Sequence, residues 1–164
     1  MSGTGIIRSW AMSIKAAATL VSRASKDSVW KAMEDFESYP KWADSTKKTR
    51  MVSVKIVSRD GNTVVCDCDE LVGGRHGKHR DKVTSYPKEG RQESEFITGA
   101  LRGTTSWSCT ETPQGTRIDM SFDVEPNTLG AKMLGLFTSL QKMVQGIAEE
   151  YCKQLSDYAE AHPI

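Results

Sequence analysis

The sequence is short of several things that would narrow its function. Aromatic residues make up 7% of the chain and histidines number 3. The 22 Lys and Arg nearly cancel the 21 Asp and Glu, leaving a formal net charge of +1. A balance so close to zero supplies no field to hold nucleic acid or an anionic membrane surface. No run of about 18 apolar residues occurs, which removes an integral membrane span from the reading. The opening MSGTGIIRSWAM carries one early positive charge, Arg8, and Lys15 breaks the next apolar stretch, so it does not read as a signal peptide. Residues 1–11 read as a loose leader and 12–164 as a single domain. There is no internal repeat and no low-complexity tract. Four cysteines, Cys66, Cys68, Cys109 and Cys152, do not make a disulfide framework in a chain of 164 residues that can bury its own core. Reduced thiols and a cytoplasmic location are the expectation.

What is present has a clear order. Ile14, Ala16, Ala18 and Leu20 alternate along Ser13–Val21, a strand pattern, although three alanines favour helix. A helix start follows: Ser25 can cap it, Asp27 complements its dipole, and Val29, Met33 and Phe36 share one face. Pro40 ends that helix, is expected to push Tyr39 into an extended conformation, and suits the start of a second short helix carrying Trp42. After Thr46 the chain reads as strands. Asp60-Gly61 and Gly73-Gly74 are hairpin signals, and TPQG joins the last two strands. From about Gly130 the period changes to helical. Met133, Phe137, Leu140, Val144, Ile147, Tyr151, Leu155 and Tyr158 form an apolar stripe. A helix of about 30 residues is roughly 45 Å long and must lie across a whole sheet. Strand, two short helices, six strands and a long helix make an α+β domain with an antiparallel sheet.

In this order, and in two local runs, the chain resembles a known family. SVWKAMEDFESYPKW on the helix pair and SWSCTETPQGTRIDMSF on the last two strands, with the long terminal helix, resemble the START/polyketide-cyclase (SRPBCC, Bet v 1-like) superfamily. The resemblance implies a helix-grip fold: a curved seven-stranded antiparallel sheet around the C-terminal helix, with two short helices after strand 1. It implies that Phe36, Tyr39 and Trp42 plug one end of the curled sheet. It also implies a cavity between sheet and helix that binds or carries a small hydrophobic ligand, lipid-, quinone- or polyketide-like, with no cofactor required. Trp107, Met120, Phe122, Met133, Phe137, Leu140, Met143, His79, Tyr39 and Trp42 are the cavity candidates. Two other classes stay open: a polyketide cyclase, aromatase or dehydratase, and a protein-interaction module. The resemblance also leaves room for a protein partner or a homodimer.

One run could carry chemistry of its own, CDCDELVGGRHGKHRD. If Gly73-Gly74 is a two-residue loop, Asp69 faces Lys78 and Asp67 faces Arg80 on the solvent side. Cys68 then faces His79 and Cys66 faces Asp81 on the other side, away from His76. The C-x-C…H-x-x-H spacing is not a familiar zinc pattern, and no tightly bound zinc is expected. A metal set of Cys66, Cys68, His79 and Asp81 is the one that could converge; otherwise the cysteines are small buried hydrophobes and His79 is a polar group at the cavity. Cys68 beside His79 is the only nucleophile–base pair with local geometry behind it. For an enzyme, Glu70, His79, Asp81 and Tyr86 are conceivable acids or bases, of which His79 alone titrates near neutrality unperturbed.

Overall fold

The computed structural model describes residues 13–46, 49–127 and 137–164, with side chains except at 45–46 and 137–139. The leader read over residues 1–11 and Met133 lie outside these. The first strand, β1 (Ile14–Ser22), leads to α1 (Lys26–Glu34), a 3-10 turn (Phe36–Ser38) and α2 (Tyr39–Trp42). Seven strands follow: β2 (Asp44–Thr46), β3 (Thr49–Asp60), β4 (Thr63–Val72), β5 (Arg75–Tyr86), β6 (Arg91–Thr98), β7 (Leu101–Thr112) and β8 (Gly115–Pro126). The chain ends in α3 (Phe137–Ala161), 25 residues long. The sheet is antiparallel throughout, in the order β1-β8-β7-β6-β5-β4-β3-β2. The seven long strands of a helix-grip sheet are therefore present, with the three-residue β2 added at one edge.

Local chemistry accounts for the element boundaries. The Ser25 hydroxyl accepts the Ser28 N–H at 3.1 Å and caps α1. Val29, Met33 and Phe36 are all buried, the face that the spacing implied. Gly73 and Gly74 both take positive φ, 58° and 82°, so the β4–β5 hairpin closes in two residues and its partners are those expected. At the β3–β4 turn the loop is Gly61-Asn62, because Asp60 still pairs with Thr63; the turn signal sits one residue later than Asp60-Gly61. Tyr39 is helical (φ −52°, ψ −42°), not extended. The preference imposed by Pro40 is overridden locally: the Ala43 N–H donates to the Tyr39 carbonyl at 2.7 Å, and the Tyr39 hydroxyl donates to the Met33 carbonyl at 2.9 Å.

The main core lies between the concave sheet face, α1–α2 and the C-terminal half of α3. Leu155 and Ala148 are fully buried, and Cys152 and Ala159 nearly so, so small side chains bring α3 close to its neighbours. A second cluster of Ile14, Ala16, Val124 and Val144 packs the first turns of the described helix against β1 and β8. Glutamines on α3 reach the backbone at both ends of the sheet. Gln141 donates to the Lys15 carbonyl, Gln145 exchanges two bonds with Ala17, and Gln154 accepts the Asp44 N–H.

Candidate functional site

Aromatic rings close one end of the sheet. Phe36 lies 5.7 Å from Tyr39, Tyr39 4.8 Å from Trp42, and Trp42 6.3 Å from Trp107 on β7. Trp42 also donates from Nε1 to the Ser38 hydroxyl. Burial pushes the pKa of the Tyr39 hydroxyl far above its ordinary value, and its one proton goes to Met33, so this ring is neutral and serves the plug.

Beyond the plug, side chains leave a cavity of about 380 Å³ between sheet and α3. That lies at the small end of the range for small-molecule sites, about 300–1,000 Å³. Trp107, Met120 and Phe122 on β7 and β8 form part of its wall, and Leu140 and Met143 on α3 form the facing part. Tyr39, Trp42 and His79 also border it. Eight of the ten residues singled out from the sequence are thus brought together; Met133 lies outside the described residues, as does the side chain of Phe137.

The polar part of the wall is a buried cluster on the inner face of β4 and β5. His79 places Nδ1 2.8 Å from Asp81 Oδ1. Its Nε2 faces Glu70 Oε2 at 3.6 Å, too long for a hydrogen bond, and is a buried nitrogen without a hydrogen-bond partner. The other Glu70 oxygen accepts the Tyr151 hydroxyl of α3 at 2.6 Å. The His79, Asp81 and Glu70 side chains are 12%, 14% and 18% exposed. Burial works against a charge on His79, but the hydrogen bond to Asp81 and the nearby Glu70 carboxylate outweigh it and push its pKa up to about 10. At neutral pH the site is therefore an imidazolium between two carboxylates, edge-on to the Phe96 ring. Burial and Glu70 push the Tyr151 phenol well above its usual range, so it stays a donor.

Other sequence candidates fall elsewhere. Tyr86 points away from the cavity and lies under the Arg91 guanidinium, 4.0 Å from its ring centre. His76 is on the outer face with Asp69, at 2.8 Å. The Asp67–Arg80 pair is a two-pronged surface ion pair at 2.6 and 2.9 Å. The Cys68 thiol is hydrogen-bonded to Cys66 and buried beside Asp81 and Glu70, which hold its pKa far above the ordinary value. That disfavours a free thiolate nucleophile. Tyr151, read only as part of the apolar stripe, and Gln92, buried on the wall with its amide donating to Ser85, are site residues that period alone conceals.

The profile of one family, described as polyketide cyclase / dehydrase and lipid transport, matches residues 13–160. The chain belongs to that family. No curated protein matches this family member by sequence. Among solved structures it is similar to TTHA0849 from Thermus thermophilus (TM-score 0.78, 19% identity, 90% of this chain and 97% of that one). It is also similar to the Zhui aromatase/cyclase from Streptomyces sp. R1128 (0.74, 15%, 93% and 99%) and to a START superfamily protein from Mycobacterium smegmatis (0.58, 21%, 80% and 94%). At these identities the likeness is one of fold. No described helix of this cyclase/dehydrase-family chain is long and apolar enough to cross a membrane.

Proposed function

We propose that this protein binds a small, largely apolar molecule, lipid-, quinone- or polyketide-like, in the cavity between sheet and α3. One observation carries the reading: about 380 Å³ of space, walled by aromatic and aliphatic side chains, meets one buried ionised cluster. Apolar walls reward apolar surface, and a polar atom buried there needs a partner. His79 Nε2 is such a partner, a donor with nothing yet to bond. The ligand is therefore apolar over most of its length, with an oxygen acceptor at one end. The reading treats residues 12–164 as one domain and its thiols as reduced, in the cytoplasm.

Trp107 on the wall makes intrinsic fluorescence the assay. Titration with long-chain fatty acids, quinones and aromatic polyketides is expected to give a saturable change with at least one class. Val54→Phe, which enlarges a half-buried wall residue into the space, should weaken binding by about tenfold or more. No saturable change with any probe would overturn the reading.

A second reading is favoured by the imidazolium itself. Held by Asp81, it can hydrogen-bond a carbonyl oxygen as negative charge develops there, which is what a cyclase or dehydratase acting on a polyketide-like chain requires. Turnover of such a chain to an aromatic product, abolished in His79→Gln, would establish it; ligand binding without turnover would leave the carrier.

A further inference from the structure

Cys66, Cys68, His79 and Asp81 form a two-by-two block on the inner face of the β4–β5 hairpin. Cys66 is opposite Asp81 and Cys68 opposite His79. Residues two apart on a strand project to the same face, and cross-strand partners stand side by side. Cys66 Sγ and Cys68 Sγ are 3.8 Å apart, Cys68 Sγ is 4.0 Å from Asp81 Oδ2, and the ligand atoms of Cys68, His79 and Asp81 lie within 4.8 Å of one another. The ligand reading above uses neither thiol.

We propose that Cys66, Cys68 and Asp81 hold a thiophilic divalent cation of the zinc class, with one coordination position open to the cavity and His79 orienting Asp81 from behind. Two thiolates each about 2.3 Å from a tetrahedral zinc stand about 3.8 Å apart, the separation found here. A carboxylate oxygen at about 2.1 Å would lie about 3.6 Å from each sulfur. Asp81 Oδ2 stands 4.0 Å from Cys68 Sγ and closes on it by about 0.4 Å, and rotation of the Cys66 side chain, which lies outside the tight set of Cys68, His79 and Asp81, brings the second sulfur to the same oxygen. Asp81 divides its oxygens in the way this requires: Oδ1 accepts from His79 Nδ1, and Oδ2 accepts from the Cys68 thiol at 4.0 Å. Such a histidine–carboxylate couple fixes the orientation of a metal-binding group.

Charge is conserved as well. The ion displaces the two thiol protons to solvent, so the block exchanges +2 for +2 and its net charge is unchanged. Two soft sulfurs with one oxygen select zinc, cadmium or cobalt(II) over magnesium or calcium. The C-x-C spacing is foreign to the familiar zinc patterns because those take their ligands from a turn, whereas here they come from one strand. Asp81, not His76, completes the set.

The test uses chelator-treated full-length protein kept under a phosphine reductant. Cobalt(II) is expected to bind at one equivalent with an intense sulfur-to-cobalt charge-transfer band and tetrahedral d–d bands, both erased by zinc. X-ray absorption of the zinc-loaded wild type should show two sulfur neighbours at about 2.3 Å and the remainder oxygen or nitrogen. Cys66→Ser and Cys68→Ser should each lose the charge-transfer intensity and weaken zinc by at least about 100-fold, while Cys109→Ser, buried on β7, keeps both. Absence of the band in the wild type, a zinc shell with fewer than two sulfurs, or a band unchanged in Cys66→Ser would each overturn the proposal. The wild-type spectra decide the matter even if a variant folds poorly.

Discussion

Replacing Tyr151 by Phe removes one oxygen and leaves the ring where it is. Tyr151 is 6% exposed, and its hydroxyl is the only described bond from α3 to the charged cluster, reaching Glu70 Oε1 at 2.6 Å. A hydrogen bond to a charged group contributes about 1.5–3 kcal/mol, and the acceptor left behind is mostly shielded from water. The expected loss of stability is therefore about 1.5–3 kcal/mol at pH 7, or a fall in Tm of about 3–12 °C for a domain of this size. Urea unfolding followed by far-ultraviolet circular dichroism should show a lower midpoint with an unchanged slope. The single variant also frees the ring to settle differently without its hydroxyl. A double-mutant cycle with Glu70→Leu, which removes the acceptor, resolves that ambiguity, and a coupling of about 1 kcal/mol or more is expected. A coupling below about 0.5 kcal/mol would refute the idea that this bond ties the helix to the cluster.

Two further outcomes follow from the same geometry. Leu155→Ala should cost about 2–5 kcal/mol, since Leu155 is fully buried, whereas Leu140→Ala should cost less because that side chain is only half-buried and borders empty space; equal costs in chemical unfolding would place the helix face wrongly. In chelator-treated protein the raised pKa of His79 makes its stabilisation complete below about pH 6.5 and lost as pH rises through about 10, so the stability gap between wild type and His79→Gln should narrow steadily over that window; a gap that widens with pH would contradict the cluster's charge assignment.

Much of this architecture was legible from period and turn chemistry. The pairing of β4 with β5 followed from two glycines, because a two-residue loop fixes every partner beyond it, and the inner and outer faces followed from that register. The stripe on α3 was legible for the same kind of reason. What was not legible depends on contacts between elements far apart in sequence. Tyr151 fits an apolar stripe equally well whether its hydroxyl ends in water or on Glu70, 81 residues away. The cavity is space left over after packing, and no residue type encodes it. Tyr39 escaped the rule for residues before proline because its hydroxyl and its ring neighbours outweigh a weak backbone preference.

The glutamines of α3 have a consequence beyond tertiary contact. A sheet of this kind has two free edges, and a row of unpaired N–H and C=O groups is a template on which another chain can add a strand, leading to polymerisation. Here one edge is β1, and Gln145 occupies both backbone groups of Ala17 much as a neighbouring strand would, while Gln141 takes Lys15. At the other side the three-residue β2 covers only the start of β3, with Asp44 engaged by Gln154, and the rest of β3 forms the edge. The helix that walls the cavity thus also blocks strand addition along the β1 edge. Exchanging Gln141 and Gln145 for residues that cannot form these bonds would leave the domain folded but expose β1 as a seed for fibrils.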